Sequence, residues 1–72
     1  MLVVGNDSIY TEENSTFVYV RNDSGEKERR QVVLGAKDSN YTEVKQGISE
    51  GEQVYYESKE RMPVDYGTYT VD

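Results

Sequence analysis

Seventy-two residues leave room for one domain, and with hydrophobic residues at only 35% of the chain the core it can build is thin. A formal net charge of −6 excludes a binder that works by neutralising nucleic-acid phosphates, and it argues equally against docking on an anionic membrane surface. Cysteine and histidine are both absent, which removes disulfides, thiolate metal sites, thiol nucleophiles, the commonest general base and the commonest transition-metal ligand.

A chain so short and so poor in apolar residues needs a staple, and by elimination that staple is a partner or a missing piece of chain. No apolar run approaches the ~20 residues that span a bilayer. Met1-Leu2-Val3-Val4 is too short for a signal peptide, so if the protein is exported its signal is expected outside this sequence.

Val, Thr and Tyr dominate the ordered-looking stretches, which predicts strands. Leu2-Val3-Val4 is a short apolar start, broken by Gly5-Asn6-Asp7-Ser8. A second short run, Ser8-Ile9-Tyr10-Thr11, is broken by Glu12-Glu13-Asn14-Ser15. Thr16 to Arg21 is the clearest strand, with Val18 and Val20 on one face and Phe17 and Tyr19 on the other. Asn22-Asp23-Ser24-Gly25 is a turn, after which Lys27 to Leu34 returns as one strand. The predicted register sets Val18 opposite Val32, Val20 opposite Arg30 and Phe17 opposite Val33, with a Ser24-Gly25-Glu26 loop. It has one poor pair, Arg21 opposite Arg29. A helix over 24–34 is rejected, because the stripe it would bury is Gly25, Glu28, Arg29 and Val32.

The next stretch, residues 35–56, organises the rest. It holds two strand-like runs, Tyr41 to Lys45 and Gln53 to Tyr56, around a compact reversal. Gly35, Gly47 and Gly51 are the structural turn glycines, and Ile48 is the plug that the reversal pushes into whatever lies beneath. Beyond Tyr56 come a charge run, 57–61, and an irregular segment, 62–67. Thr68 to Val71 forms one last edge strand or trails loose. The expected class is all-β: a small antiparallel sheet or β-roll of about five to six short strands. Residues 1–57 would form the domain and 58–72 a C-terminal tail.

The candidate chemistry is weak. Asp23-Ser24-Gly25-Glu26 and Asp38-Ser39-Asn40 offer oxygens without the full ligand ladder of a calcium loop, so both read as solvated turns. Asn6, Asn14, Asn22 and Asn40 each open an N-x-S/T triplet, which here marks turns rather than glycosylation. Glu50 and Glu52 lack the cleft that a catalytic carboxylate pair requires. Tyr41, Tyr55 and Tyr56 are the best candidates for a sugar- or peptide-binding platform, the alternative function for a small extracellular module. No catalytic residue, metal or cofactor is expected.

The order of motifs adds a resemblance. Phe17-Val18-Tyr19-Val20, then Arg30-Gln31-Val32-Val33-Leu34-Gly35, then Tyr41-Thr42-Glu43-Val44, then Gly47-Ile48-Ser49-Glu50-Gly51-Glu52-Gln53-Val54 resembles the C-terminal, membrane-proximal domain of bacterial membrane-fusion proteins, the periplasmic adaptor subunits of efflux transporters. The likeness covers about residues 3–56. Ile48 and Glu52 fit the family's turn, whereas Val4-Gly5-Asn6 stands where the family often has a proline. The resemblance implies a non-catalytic assembly domain in the cell envelope. It would contact a transporter permease of the RND or ABC type and neighbouring adaptor subunits, without entering the membrane itself. It also implies a β domain completed by strands from elsewhere in a longer chain, so the piece read here lacks part of its own sheet. Open sheet edges in such a piece would favour a homo-oligomer or a strand-swapped dimer. Residues Asn22, Asp23, Ser24 and Gly25, as an exposed hairpin tip, are the candidate partner contact.

Overall fold

The computed structural model describes residues 2–58 and 65–71. Eight strands run in order: β1 (Leu2–Gly5), β2 (Tyr10–Glu12), β3 (Ser15–Arg21), β4 (Lys27–Gln31), β5 (Val33–Lys37), β6 (Tyr41–Gln46), β7 (Gln53–Ser58) and β8 (Asp65–Thr70). One 3-10 turn, Asn6–Ser8, joins β1 to β2. The charge run at 59–61 and the irregular segment at 62–64 lie outside the described residues.

The class is all-β and antiparallel, with eight strands among the described residues where five or six were expected. They form two sheets, one ordered β1-β6-β5 and one of five strands in which β2-β3-β7-β8 follow in line and β4 lies on the other edge of β3. The inner faces meet over a small aliphatic core. Val4 and Val44 come from the smaller sheet and Val18, Val20 and Val54 from the larger. The connections add Val32, Ile48 and Val71. Nearly all of these side chains are valines, whose stiff branched shape suits a pleated surface.

The extra strands arise because the chain changes sheets more often than its pattern suggests. Lys27 to Leu34 is not one strand. It splits at Val32, which is buried at the crossing while Val33 is half exposed. This corrects the β3–β4 register by two residues: Val18 faces Arg30, Val20 faces Glu28, Tyr19 faces Arg29 and Arg21 faces Lys27. A two-residue slip keeps every side chain on its face. It also moves the three-residue loop by one position, to Asp23-Ser24-Gly25, closed between the Asn22 amide and the Glu26 carbonyl at 2.9 Å. Asn22 fixes that geometry: its Oδ1 accepts from the amides of Ser24 at 3.0 Å and Glu26 at 2.9 Å. The slip removes the Arg21–Arg29 clash. Arg29 instead lies over the Phe17 ring, 3.6 Å from its centroid, and reaches Glu12 at 3.6 Å.

The two strand-like runs of the stretch 35–56 do not pair with each other. β6 and β7 belong to different sheets, so the reversal between them carries the chain from one sheet to the other. Of the expected tail beyond Ser58, residues 65–71 are described. β8 pairs with β7 from Gln53↔Thr70 to Ser58↔Asp65, and Val71 is 1% exposed. Tyr69 ties this strand to the start of the chain. Its hydroxyl accepts from the Gly5 amide at 2.9 Å and sits 2.9 Å from the buried Ser8 Oγ. Burial holds the Tyr69 phenol above its ordinary value.

Candidate functional site

Two regions stand out. The first is the junction where the crossings meet. Gly47 has φ +115 and Gly51 φ +94, conformations open to glycine and costly for L side chains. A Cβ on Gly47 would also run into the Gln31 carbonyl oxygen and approach Val32 Cα to 2.9 Å, whereas a Cβ on Gly51 would meet nothing within 4 Å. Between them Ile48 is buried at 8% exposure against the valine core. Gly35 is not a turn residue. It lies inside β5 between two register irregularities, where its bare backbone leaves room for the Glu43 carboxylate and the Lys45 stem.

Arg30 clamps the junction. Its Nη2 donates to Glu28 Oε2 at 2.7 Å, and its Nη1 donates to Glu52 Oε1 at 3.1 Å and to the Gly47 carbonyl at 3.1 Å. Hydrogen bonding to Glu28 above all raises the guanidinium further above its ordinary pKa. Glu52 also accepts from the Ser49 amide at 2.8 Å, so one carboxylate closes the turn and receives the arginine. The tail completes the knot: the Gly51 amide donates to the Val71 carbonyl at 2.7 Å, and the Val71 amide to the Glu52 carbonyl at 2.9 Å. Sequence reasoning had the motif that contains Arg30 and the acid after the second turn glycine. It did not pair them, because a separation of 22 residues carries no local signal.

The second region is the hairpin tip. Asp23, Ser24 and Gly25 are exposed, and Gly25 has φ +81. The base of the tip and the junction share an open depression of about 550 Å³, lined by Arg21, Asp23 and Gln53 together with Glu28, Arg30 and Glu52 of the clamp. The outer face of β3 and β4 continues from the base of the tip as a band of rings and cations. Tyr10 stacks on Phe17 with centroids 5.7 Å apart, Tyr19 meets Phe17 edge-on, and Lys27 Nζ lies 4.6 Å from the Tyr19 centroid and 5.4 Å from that of Tyr55.

The remaining candidates have structural places. The Asp38 carboxylate accepts from the amides of Asn40 at 2.8 Å and Tyr41 at 2.7 Å, so it caps the β5–β6 turn. Those bonds lower its pKa, the one from Tyr41 most. Among the described residues no group of three or more acidic, histidine or cysteine side chains converges to hold a metal ion. Glu52 is committed to Arg30 while Glu50 is exposed, so they do not form a working pair. Tyr41, Tyr55 and Tyr56 do not share a platform. Tyr41 is on the smaller sheet, while Tyr55 and Tyr56 point to opposite faces of β7, Tyr56 packing 6.1 Å from the ring of Tyr69.

Two small antiparallel sheets, joined by glycine-bearing crossings over one valine core, define an SH3-like β domain. The family described as the CzcB C-terminal circularly permuted SH3-like domain matches residues 2–58, and the chain belongs to it. That family is the C-terminal domain of a membrane-fusion, or adaptor, protein of efflux transport. The match ends at the last residue of β7, so β8 and Val71 lie beyond it. No curated protein and no solved structure matches the chain. Among the described residues no helix is long and apolar enough to cross a membrane.

Proposed function

We propose that this domain is a non-catalytic assembly module of an efflux-transporter adaptor, placed on the outer side of the cytoplasmic membrane. There it contacts the transporter permease and neighbouring adaptor subunits. The observation that carries this reading is the family match across residues 2–58, joined to the clamp that the matched motifs form: Arg30 on Glu28 and Glu52, with Gly47 closed against the Val32 crossing. Those motif residues are consumed in holding the two sheets together. Their work is to keep a scaffold rigid, which suits a part that transmits force by contact.

The test is retention of the permease by the full-length parent protein. Removing residues 16–56 should abolish it, and replacing only the tip, Asn22 to Gly25, by a neutral turn should weaken it while the fold is kept. Permease retention unchanged by removal of the whole segment would overturn the reading. A transporter gene beside that of the parent protein would support the reading, and a cell-wall enzyme in that place would point to the sugar- or peptide-binding alternative.

A further inference from the structure

Among the described residues β4 pairs with β3 alone, so its other edge is open. The ladder fixes which backbone groups stand on that edge. The Asn22 amide bonds to the Glu26 carbonyl at 2.9 Å, and the Val32 amide to the Thr16 carbonyl at 3.0 Å. Bonded and non-bonded pairs alternate along an antiparallel ladder. With Val20 opposite Glu28 and Val18 opposite Arg30, it is Glu28 and Arg30 that turn their amides and carbonyls toward β3. Lys27, Arg29 and Gln31 turn theirs outward, and among the described residues nothing bonds to them.

The same three residues send their side chains to the outer face that carries Phe17 and Tyr19, and two of them are cations. Arg29 lies 3.6 Å from the Phe17 centroid and Lys27 Nζ 4.6 Å from that of Tyr19, so rings hold both heads in place. Arg21, opposite Lys27, adds a third cation, and among the described residues neither of that pair meets a carboxylate within ion-pair distance. Arg29 reaches Glu12 at 3.6 Å, but with side-chain exposures of 50% and 66% the pair is weak and exchangeable. Charges on a strand edge guard it against a second strand. A guard of one sign excludes only strands of that sign. A copy of β4 centred antiparallel on this edge would set Arg29 against Arg29, whereas a strand bearing carboxylates would be drawn in.

We propose that the open edge of β4 is a docking site for an extended acidic peptide, which adds as a strand beside Lys27–Gln31 and sets a carboxylate at every second residue against Lys27 and Arg29. Main-chain bonds supply the affinity of such an addition, and the cations select the sequence. In antiparallel addition the residues that exchange bonds with Lys27 and Arg29 also stand directly opposite them, with side chains on the same face. The two cations are about 7 Å apart along the strand, the repeat of an extended peptide with acids at alternate positions. The inference goes beyond the adaptor reading and does not depend on it.

Titration of a capped peptide of alternating Glu and Thr into the 72-residue chain, up to roughly 1 mM, tests it, a range that still registers weak association. At about 0.1 M salt the screening length of about 10 Å leaves the edge cations active and hides most of the distant acids of this net −6 chain. Binding is expected there, with slowed hydrogen exchange at the amides of Lys27, Arg29 and Gln31. N-methylation of the Glu residues of the peptide should abolish binding. N-methylation of its Thr residues should preserve it, because those amides face away from β4. A peptide of alternating Lys and Thr should bind at least about tenfold more weakly, and Lys27→Glu with Arg29→Glu should reverse that preference. The two methylated peptides need no variant, so they decide the matter even where the double variant does not fold. Absence of binding at the top of the titration overturns the proposal. So does binding indifferent to which residues are methylated, or matched by polyphosphate, since either outcome would mean diffuse attraction of an anion rather than addition of a strand.

Discussion

The turn at 47–52 and the loop at 22–26 both reverse the chain on glycines of positive φ, yet they are built for different work. The first is bonded to three distant parts of the chain: to Arg30 on β4, to Val71 after β8, and through Ile48 to the core. Among the described residues the second is bonded only to itself, by the Asn22 side chain and two backbone contacts. Long-range bonds make a reversal part of the cooperative fold, and local ones leave it free to be read by a neighbour. The contrast holds for single residues. Gly47 needs both its φ and its missing side chain, because the Val32 crossing occupies the space, while Gly51 needs only its φ.

That difference gives the largest expected effect. Gly47→Ala combines left-handed strain with a collision and should cost about 3 kcal/mol or more. Gly51→Ala carries strain alone and should cost about 1–2 kcal/mol. At ~4–8 °C per kcal/mol for a domain of this size, thermal melts separate the two clearly. Equal losses would mean that the junction is looser than its contacts indicate.

Arg30→Met probes the same knot through charge. It leaves Glu28 and Glu52 facing each other without their shared cation. The three groups are about a third exposed (side-chain exposures 32%, 42% and 29%), so solvent screens the pair and the expected loss is only about 1 kcal/mol. The check is a double-mutant cycle with Glu52→Gln. A loss that does not couple to Glu52 would break the clamp.

How much of this was legible in the sequence follows from the range of the forces involved. Period-two valines, glycine-bearing turns and the exposed tip are local signals, and they located the strands and the reversals. The buried Ile48 was marked by being the one aliphatic residue between two glycines. What the pattern could not convey was which sheet each strand joins. Val32 looks like the middle of a strand because its neighbours alternate correctly, and only the position of β6 makes it a crossing. The Arg30–Glu52 pair and the tail's place beside β7 depend on contacts far apart in the chain. Gly35 was misread because a glycine beside a polar segment suggests a turn. Its actual reason is space for Glu43.

Acid separates the local turns from the junction more gently. Asp38 caps the β5–β6 turn as a carboxylate, and its pKa in the fold lies below the ordinary 3.8. Its contribution is therefore full above that ordinary value and is lost as pH falls through the lower folded one. The slope of Tm against pH below about 4 should flatten in Asp38→Ala. An unchanged slope would assign the acid sensitivity to other carboxylates.

The smallest expected effect is at the tip, where it is the most informative. No described hydrogen bond or ion pair uses the side chains of Asp23 or Ser24, and both are exposed. Asp23→Ser with Ser24→Ala should move stability by less than about 0.5 kcal/mol. Asn22→Ala, which strips the cap from two amides, should cost about 1 kcal/mol. If the tip meets the permease, the Asp23 and Ser24 changes lower permease retention by the full-length parent at unchanged Tm, which a purely structural loop would not do. Retention that falls only with Asn22→Ala, in step with stability, would make the tip one more piece of scaffold and erase its contrast with the junction.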